Sequence, residues 1–156
     1  EYQIATNDQS HKIAFTNADG GVYATPKLIS KAINESSPQD DTVMGLFGFT
    51  LLNGTDHATV YDQILGYTTW DGGTTDIGLT NTVYNDATEV DIQRTGAFNA
   101  AGGGVEFASG AEGVGVGSTG GVKIVYDLDS IGSGPRQSAS NVLAEYRKVL
   151  GIPGGL

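Results

Sequence analysis

A chain of 156 residues with 8 basic and 18 acidic side chains carries a net charge of −10. That balance argues against direct nucleic-acid binding, which depends on Lys and Arg neutralising phosphates. The closest basic pairing is Arg147-Lys148, and the absence of cysteine excludes disulfides, thiolate metal sites and cysteine nucleophiles. Charged residues are 17% and glycines number 24, so charge is scarce and glycine is about twice its usual share. Such a profile suits turn-rich β structure and broad protein contacts, because neutral polar surface is less costly to desolvate than charge.

The length fits one domain, with or without an added arm. Residues 1–24 alternate weakly (Tyr2, Ile4; Ile13, Phe15; Val22, Tyr23) around an Asp19-Gly20-Gly21 turn, which predicts an extended arm or hairpin. Thr25 as cap, Pro26 at the first helical position and Asn34 after the last apolar residue predict a short helix over 25–34. From Thr42 the pattern reads as β: Thr42–Leu52, closed by Asn53-Gly54-Thr55-Asp56, and then His57–Tyr67, closed by Trp70-Asp71-Gly72-Gly73. Two further strands, Thr74–Tyr84 and Thr88–Phe98, are separated by Asn85-Asp86.

A glycine-dense excursion spans 100–121. The segment Gly121–Leu128 then alternates, with Val122, Ile124, Tyr126 and Leu128 on one face. After a loop at Asp129–Gln137, the residues Val142, Leu143, Tyr146, Val149 and Leu150 predict an amphipathic C-terminal helix over 138–150, stopped by Gly151 and Pro153. The expected architecture is mainly β: an antiparallel sheet, sandwich or small barrel. It is carried by a single domain over 25–156 with two short helices. The most apolar run, Val43 to Phe49, contains Gly45 and Gly48 and is too short for a membrane span. The start at Glu1 rather than methionine reads either as a processed terminus, after removal of a pro-segment or signal, or as a fragment.

Motifs for chemistry fail one by one. Gly115-Val116-Gly117-Ser118-Thr119-Gly120 matches G-x-G-x-x-G but is followed by a predicted strand instead of the helix a dinucleotide site needs, and Lys123 misses the P-loop spacing. The histidines are His11 and His57, and Gly132-Ser133-Gly134 is not a nucleophile elbow. Asp127 and Asp129, or Asp56 and Asp62 near His57, offer oxygens to a hard cation, but no loop has EF-hand spacing. Asp56, Asp71 and Asp86 read as turn formers. Nothing selects one carboxylate pair for acid–base work. Asn34-Glu35-Ser36 and Asn53-Gly54-Thr55 satisfy the glycosylation pattern. Tyr67 with Trp70, and Tyr126 with Tyr146, read as core or sheet-face residues. No catalytic, cofactor-binding or metal-ligating residue is assigned.

The stretch Trp70-Asp71-Gly72-Gly73-Thr74-Thr75-Asp76-Ile77-Gly78-Leu79, with Thr88-Glu89-Val90-Asp91-Ile92-Gln93-Arg94-Thr95-Gly96-Ala97-Phe98-Asn99-Ala100-Ala101 after it, resembles head decoration (cement) proteins of tailed phages. In that family a W-D-G-T-like turn enters a Gly-containing strand, and a later strand ends in a basic residue, a glycine and a short tail. The resemblance covers residues 70–101 only. It implies a small β-rich domain, often trimeric, whose N-terminal arm adds to the capsid lattice; the glycine-rich tract and the C-terminal helix have no counterpart there.

The expectation is a non-enzymatic structural protein of a virion, a capsid decoration or minor capsid component acting through protein–protein contacts. Its partners would be capsid subunits or copies of itself as a homo-oligomer, with no nucleic acid, membrane or cofactor. The alternatives are a secreted or cell-surface assembly subunit (filament, surface layer or adhesin) and a carbohydrate-binding β module.

Overall fold

A single helix, α1, runs from Tyr2 to Glu35 and takes in the whole segment expected as an extended arm or hairpin. The computed structural model describes residues 2–68, 74–81, 86–99 and 122–150. The helix forms despite a composition rich in Ser, Thr and Gly because its hydroxyls return to the preceding turn. Ser10 donates to the Thr6 carbonyl (3.0 Å), Thr16 to Lys12 (2.8 Å) and Thr25 to Gly21 (2.8 Å), so these side chains do not compete with the helical bonds. Asp8 and Lys12 pair one turn apart at 2.6 Å, in the favourable acid-first order. Pro26 lies inside the helix, so the expected start at residue 25 is an interior position. The N–H it lacks is a cost that the packing of α1 must offset.

That packing follows a stripe with helical spacing: Ser10, Ala14, Ala18, Gly21, Thr25, Leu28, Ile29 and Ala32 are all buried. The first five are small and the later ones include large apolar residues, so the near end of α1 sits closer to the sheet than the far end.

Two predicted strands are helices. Residues 42–52 divide into α2 (Asp41–Leu46) and a short β1 (Phe49–Leu51). Residues 57–67 form α3 (His57–Leu65). The cause is capping: the Asp40 carboxylate accepts from Val43 N (2.9 Å) and the Asp56 carboxylate from Thr59 N (2.7 Å). Each satisfies a donor at a helix start. Gly66 then closes α3 in the left-handed conformation (φ 76°).

The remaining strands are β2 (Ile77–Asn81), β3 (Asp86–Asn99), β4 (Val122–Gly134) and β5 (Ser138–Leu150). The predicted C-terminal helix is therefore β5. Its apolar residues fit either period, since Val142, Ala144, Tyr146 and Leu150 also alternate. The tight hairpin through Pro135–Gln137 pairs β5 with β4 from Gly134↔Ser138 to Val122↔Leu150. The expected loop at 129–137 shrinks to that turn, where Arg136 and Gln137 both take positive φ.

The strands form one antiparallel meander in the order β1-β2-β3-β4-β5. The antiparallel sheet is as expected, but helix takes a share comparable with strand. Among the described residues there is one open sheet with helices over one face, an α+β architecture rather than a sandwich or barrel. The glycine-rich tract and the turn at 70–73 fall outside the described residues.

On the helical face, Leu28 and Ile29 of α1, Met44 of α2 and Ile64 of α3 pack with Ile77, Val90, Ile92, Tyr126 and Leu128 of the sheet. Asp76, 1% exposed, extends the pairing of β2: its amide donates to the Val90 carbonyl and its carboxylate accepts from Ile92 N, both at 2.9 Å.

At the close end of α1, an added Cβ on Gly132 would overlap the Ala14 carbonyl oxygen and the Ala18 amide nitrogen. One on Gly21 would overlap Ser130 Oγ and Thr88 Cγ2, whereas one on Gly20 would meet only open space. Polar groups fasten the seam: Asn17 Nδ2 donates to the Ser133 carbonyl (2.7 Å), Thr88 Oγ1 to the Asn17 carbonyl (3.0 Å) and Ser138 Oγ to the Ser10 carbonyl (3.0 Å).

Two glycine substitutions separate this arrangement from the turn read in the sequence. Gly20→Ala is expected to stabilise the protein by about 0.5–1 kcal/mol, as alanine does in a helix interior. Gly132→Ala is expected to destabilise it by about 1–3 kcal/mol through overpacking. Urea titration of the two variants reads both signs, and a loss of stability in Gly20→Ala would contradict a helix at that position.

Candidate assembly surface

The outer strand β5 has thirteen residues and no buried position; exposed and half-buried residues alternate along its whole length. This is the period-2 signature of a strand with one covered and one open face. Ser138, Ser140, Val142, Ala144, Tyr146, Lys148 and Leu150 face α1. Leu143, Glu145, Arg147 and Val149 face outward, with Leu143 73% and Val149 45% exposed. Glu145 and Arg147 pair along the strand. On its inner edge β5 bonds β4; among the described residues no strand pairs with its outer edge.

Two tyrosines hold this strand in place. The Tyr126 and Tyr146 rings stack with centroids 6.1 Å apart. The Tyr146 hydroxyl bonds Ser30 of α1 at 2.9 Å, and the Tyr126 hydroxyl donates to the Ile64 carbonyl at 2.7 Å. Ile64 lies in the last turn of α3, where carbonyls lack helical partners, so the phenol supplies a missing donor. Burial pushes the Tyr126 hydroxyl up to about 12, because a phenolate would lose its water without gaining a donor.

The outward face beside β5 is acidic. Asp127 stands opposite Glu145 and Gln93, and Asp129 opposite Leu143 and Asp91. Asp129, expected to open a loop, is thus a strand residue, as Asp127 is. Among the described residues no three His, Asp or Glu side chains converge as a metal site would require.

The other singled-out residues disperse. His57 opens α3 with Nε2 3.1 Å from Asp41 Oδ1. His11 is exposed on α1, beside a shallow depression with Arg136 and Ser138. Asp56 is a helix cap, and its carboxyl is held below the usual range by the Thr59 amide and hydroxyl. Ser133 lies in β4 and offers its carbonyl to Asn17. Tyr67 is exposed. Asn34 is exposed near the end of α1, and Asn53 donates to the Thr75 carbonyl and hydroxyl at 3.0 Å. The Gly115–Gly120 motif, Trp70 and Asp71 lie outside the described residues. A cleft of about 550 Å³ between α3 and β3 is lined by Gln63, Gly66, Thr68 and Arg94, among others. What the sequence reading missed is β5 itself, and the signal that could have found it is the alternation Val142, Ala144, Tyr146.

Comparison of the chain with known protein families, with curated proteins and with solved structures finds no match.

The Tyr126 geometry fixes a pH dependence. The phenol is raised in the folded chain relative to the ordinary value of 10.0, so its contribution is whole below pH 10 and is lost as pH rises from there through about 12. Tyr126→Phe is expected to abolish this alkaline loss. It should also cost about 1–3 kcal/mol at neutral pH by leaving the Ile64 carbonyl unbonded. Unfolding titrations at pH 7 to 11 check both; an unchanged alkaline profile in the variant would contradict the assignment.

Proposed function

We propose that this chain is a non-enzymatic structural subunit of a larger protein assembly, a virion shell or else a cell-surface or extracellular filament or layer, that works by packing against other protein subunits. The observation that supports this most is the long open edge of β5. Its backbone donors and acceptors on that side meet no strand among the described residues, and two large apolar side chains flank it. Edges of this kind recruit further strands unless they are blunted, and strand addition provides main-chain hydrogen bonds with little demand on particular side chains. Along α1, Ile4, Phe15 and Tyr23 add further exposed apolar surface, which suits contact with neighbouring subunits. The low charged fraction acts in the same direction, since a surface of Thr, Asn and Gly loses little on being covered.

In the capsid-decoration reading the candidate arms for contact with neighbouring subunits are the N-terminal segment and the glycine-rich tract. Residues 2–24 are helical and packed on the sheet, so they form no extended arm, and the glycine-rich tract lies outside the described residues. Removing residues 1–24 is accordingly expected to impair folding along with assembly.

Native mass by light scattering over a range of concentrations, with electron microscopy of the same samples, tests the proposal. Self-association that grows with concentration is expected. A protein that stays monomeric at every concentration and binds no particle or filament would overturn it.

A further inference from the structure

We propose that β5 pairs with β5 of a second copy, antiparallel and centred on Tyr146, joining two five-stranded sheets into one. This deepens the assembly reading and rests on it, naming the partner as another copy of this chain and the register as a single one.

The order of side chains on the outward face makes the strand complementary to itself. Along one strand that face reads Leu143, Glu145, Arg147, Val149: apolar, acidic, basic, apolar. Reversed about Tyr146, the same four residues become their own complement. Leu143 then stands opposite Val149 of the second copy, and Glu145 opposite its Arg147; the remaining two pairs follow by symmetry. The four charges form a square of alternating sign, into which the existing Glu145–Arg147 pair of each strand enters without rearrangement. On the helical face, Val142 meets Leu150, Ala144 meets Lys148, and Tyr146 meets itself. This is an isologous contact, closed by its own two-fold axis. The axis is perpendicular to the joined sheet and places both α1 helices on the same side of it.

The two adjacent registers fail on the same face. Side chains alternate, so a residue that points outward must stand opposite another that points outward. With the centre on residue 145, Glu145 opposes itself and Arg147 opposes Leu143. With the centre on residue 147, Arg147 opposes itself and Glu145 opposes Val149. Like charges directly opposite are destabilising, and opposite charges and apolar pairs are stabilising. The surroundings favour the central register too. On its inner side Glu145 stands opposite Asp127 of β4, a like-charge pair that Arg147 of a second copy, arriving on the other side, offsets. The net charge of −10 on each chain opposes indiscriminate association, so contact is confined to a place where opposite charges meet.

Charge reversal tests the register. Glu145→Arg alone and Arg147→Glu alone each place like charges across the two-fold and are expected to weaken the dimer about tenfold. The double variant E145R/R147E restores the alternating square and is expected to return dimerisation to the wild-type level, which sedimentation equilibrium measures directly. Circular dichroism establishes that each variant is folded, and the double variant has the same composition as the native chain. The cysteine-free background allows a second reading: a mixture of Glu145→Cys and Arg147→Cys chains cross-links on oxidation, whereas either variant alone does so much less, because directly opposed positions alone bring Cβ atoms within disulfide reach. Self-association indifferent to the single reversals, or not restored by the double variant, would sink this register and leave the assembly reading standing. A native chain that is monomeric throughout would sink both.

Discussion

The contact on which the rest of the molecule depends is the approach of the α1 backbone to β4 at Gly132, where Ala14 and Ala18 lie so near that no side chain fits between. Ser10, Ala14, Ala18 and Gly21 keep the helix surface flat there, and Ser130, Gly132 and Gly134 keep the strand surface flat beneath it. The seam exchanges apolar bulk for proximity. Proximity brings the Asn17, Thr88 and Ser138 side chains within reach of backbone carbonyls across the interface, each bond adding about 0.5–1.5 kcal/mol. Farther along, Leu28, Ile29 and Ala32 widen the gap and join the apolar cluster. The helix is therefore held by hydrogen bonds and close contact at one end and by apolar burial at the other.

This arrangement also determines what is left open. With α1, α2 and α3 over one face and the strands running as a meander, the chain closes the helical face and leaves the last strand at the margin. Tyr126 and Tyr146 fix that margin through a chain of contacts from Ser30 of α1 to Ile64 of α3. A rigid edge loses less entropy on pairing than a mobile one, so the residues that stabilise the fold also prepare the surface for partners.

Much of the sheet was legible, and the reasons for the exceptions are physical. β3 and the first half of β4 carry clean alternation, and Ile124, Tyr126 and Leu128 face the core as the spacing predicts. α1 was hidden because its buried stripe is made of small and polar residues, which hydropathy does not register, and because Gly20-Gly21 looks like a turn. Gly21 is instead needed for room against Ser130 and Thr88. α3 was announced by Asp56 and Gly66 at its two ends, but the apolar residues Val60, Tyr61, Ile64 and Leu65 drew attention away from these caps. β5 satisfies two periods at once, and its pairing with β4 decides between them, a long-range term absent from local pattern. The assembly surface was legible in composition only; its position on β5 required the sheet order.

The central claim is that residues 2–35 are part of the folded body and leave β5 as an open edge. Amide hydrogen exchange tests this most directly. The account predicts that amides of residues 10–32 exchange as slowly as those of β4, since the seam opens only with the sheet beneath it. Exchange of residues 10–24 at the rate of an open chain, with β4 still protected, would contradict it.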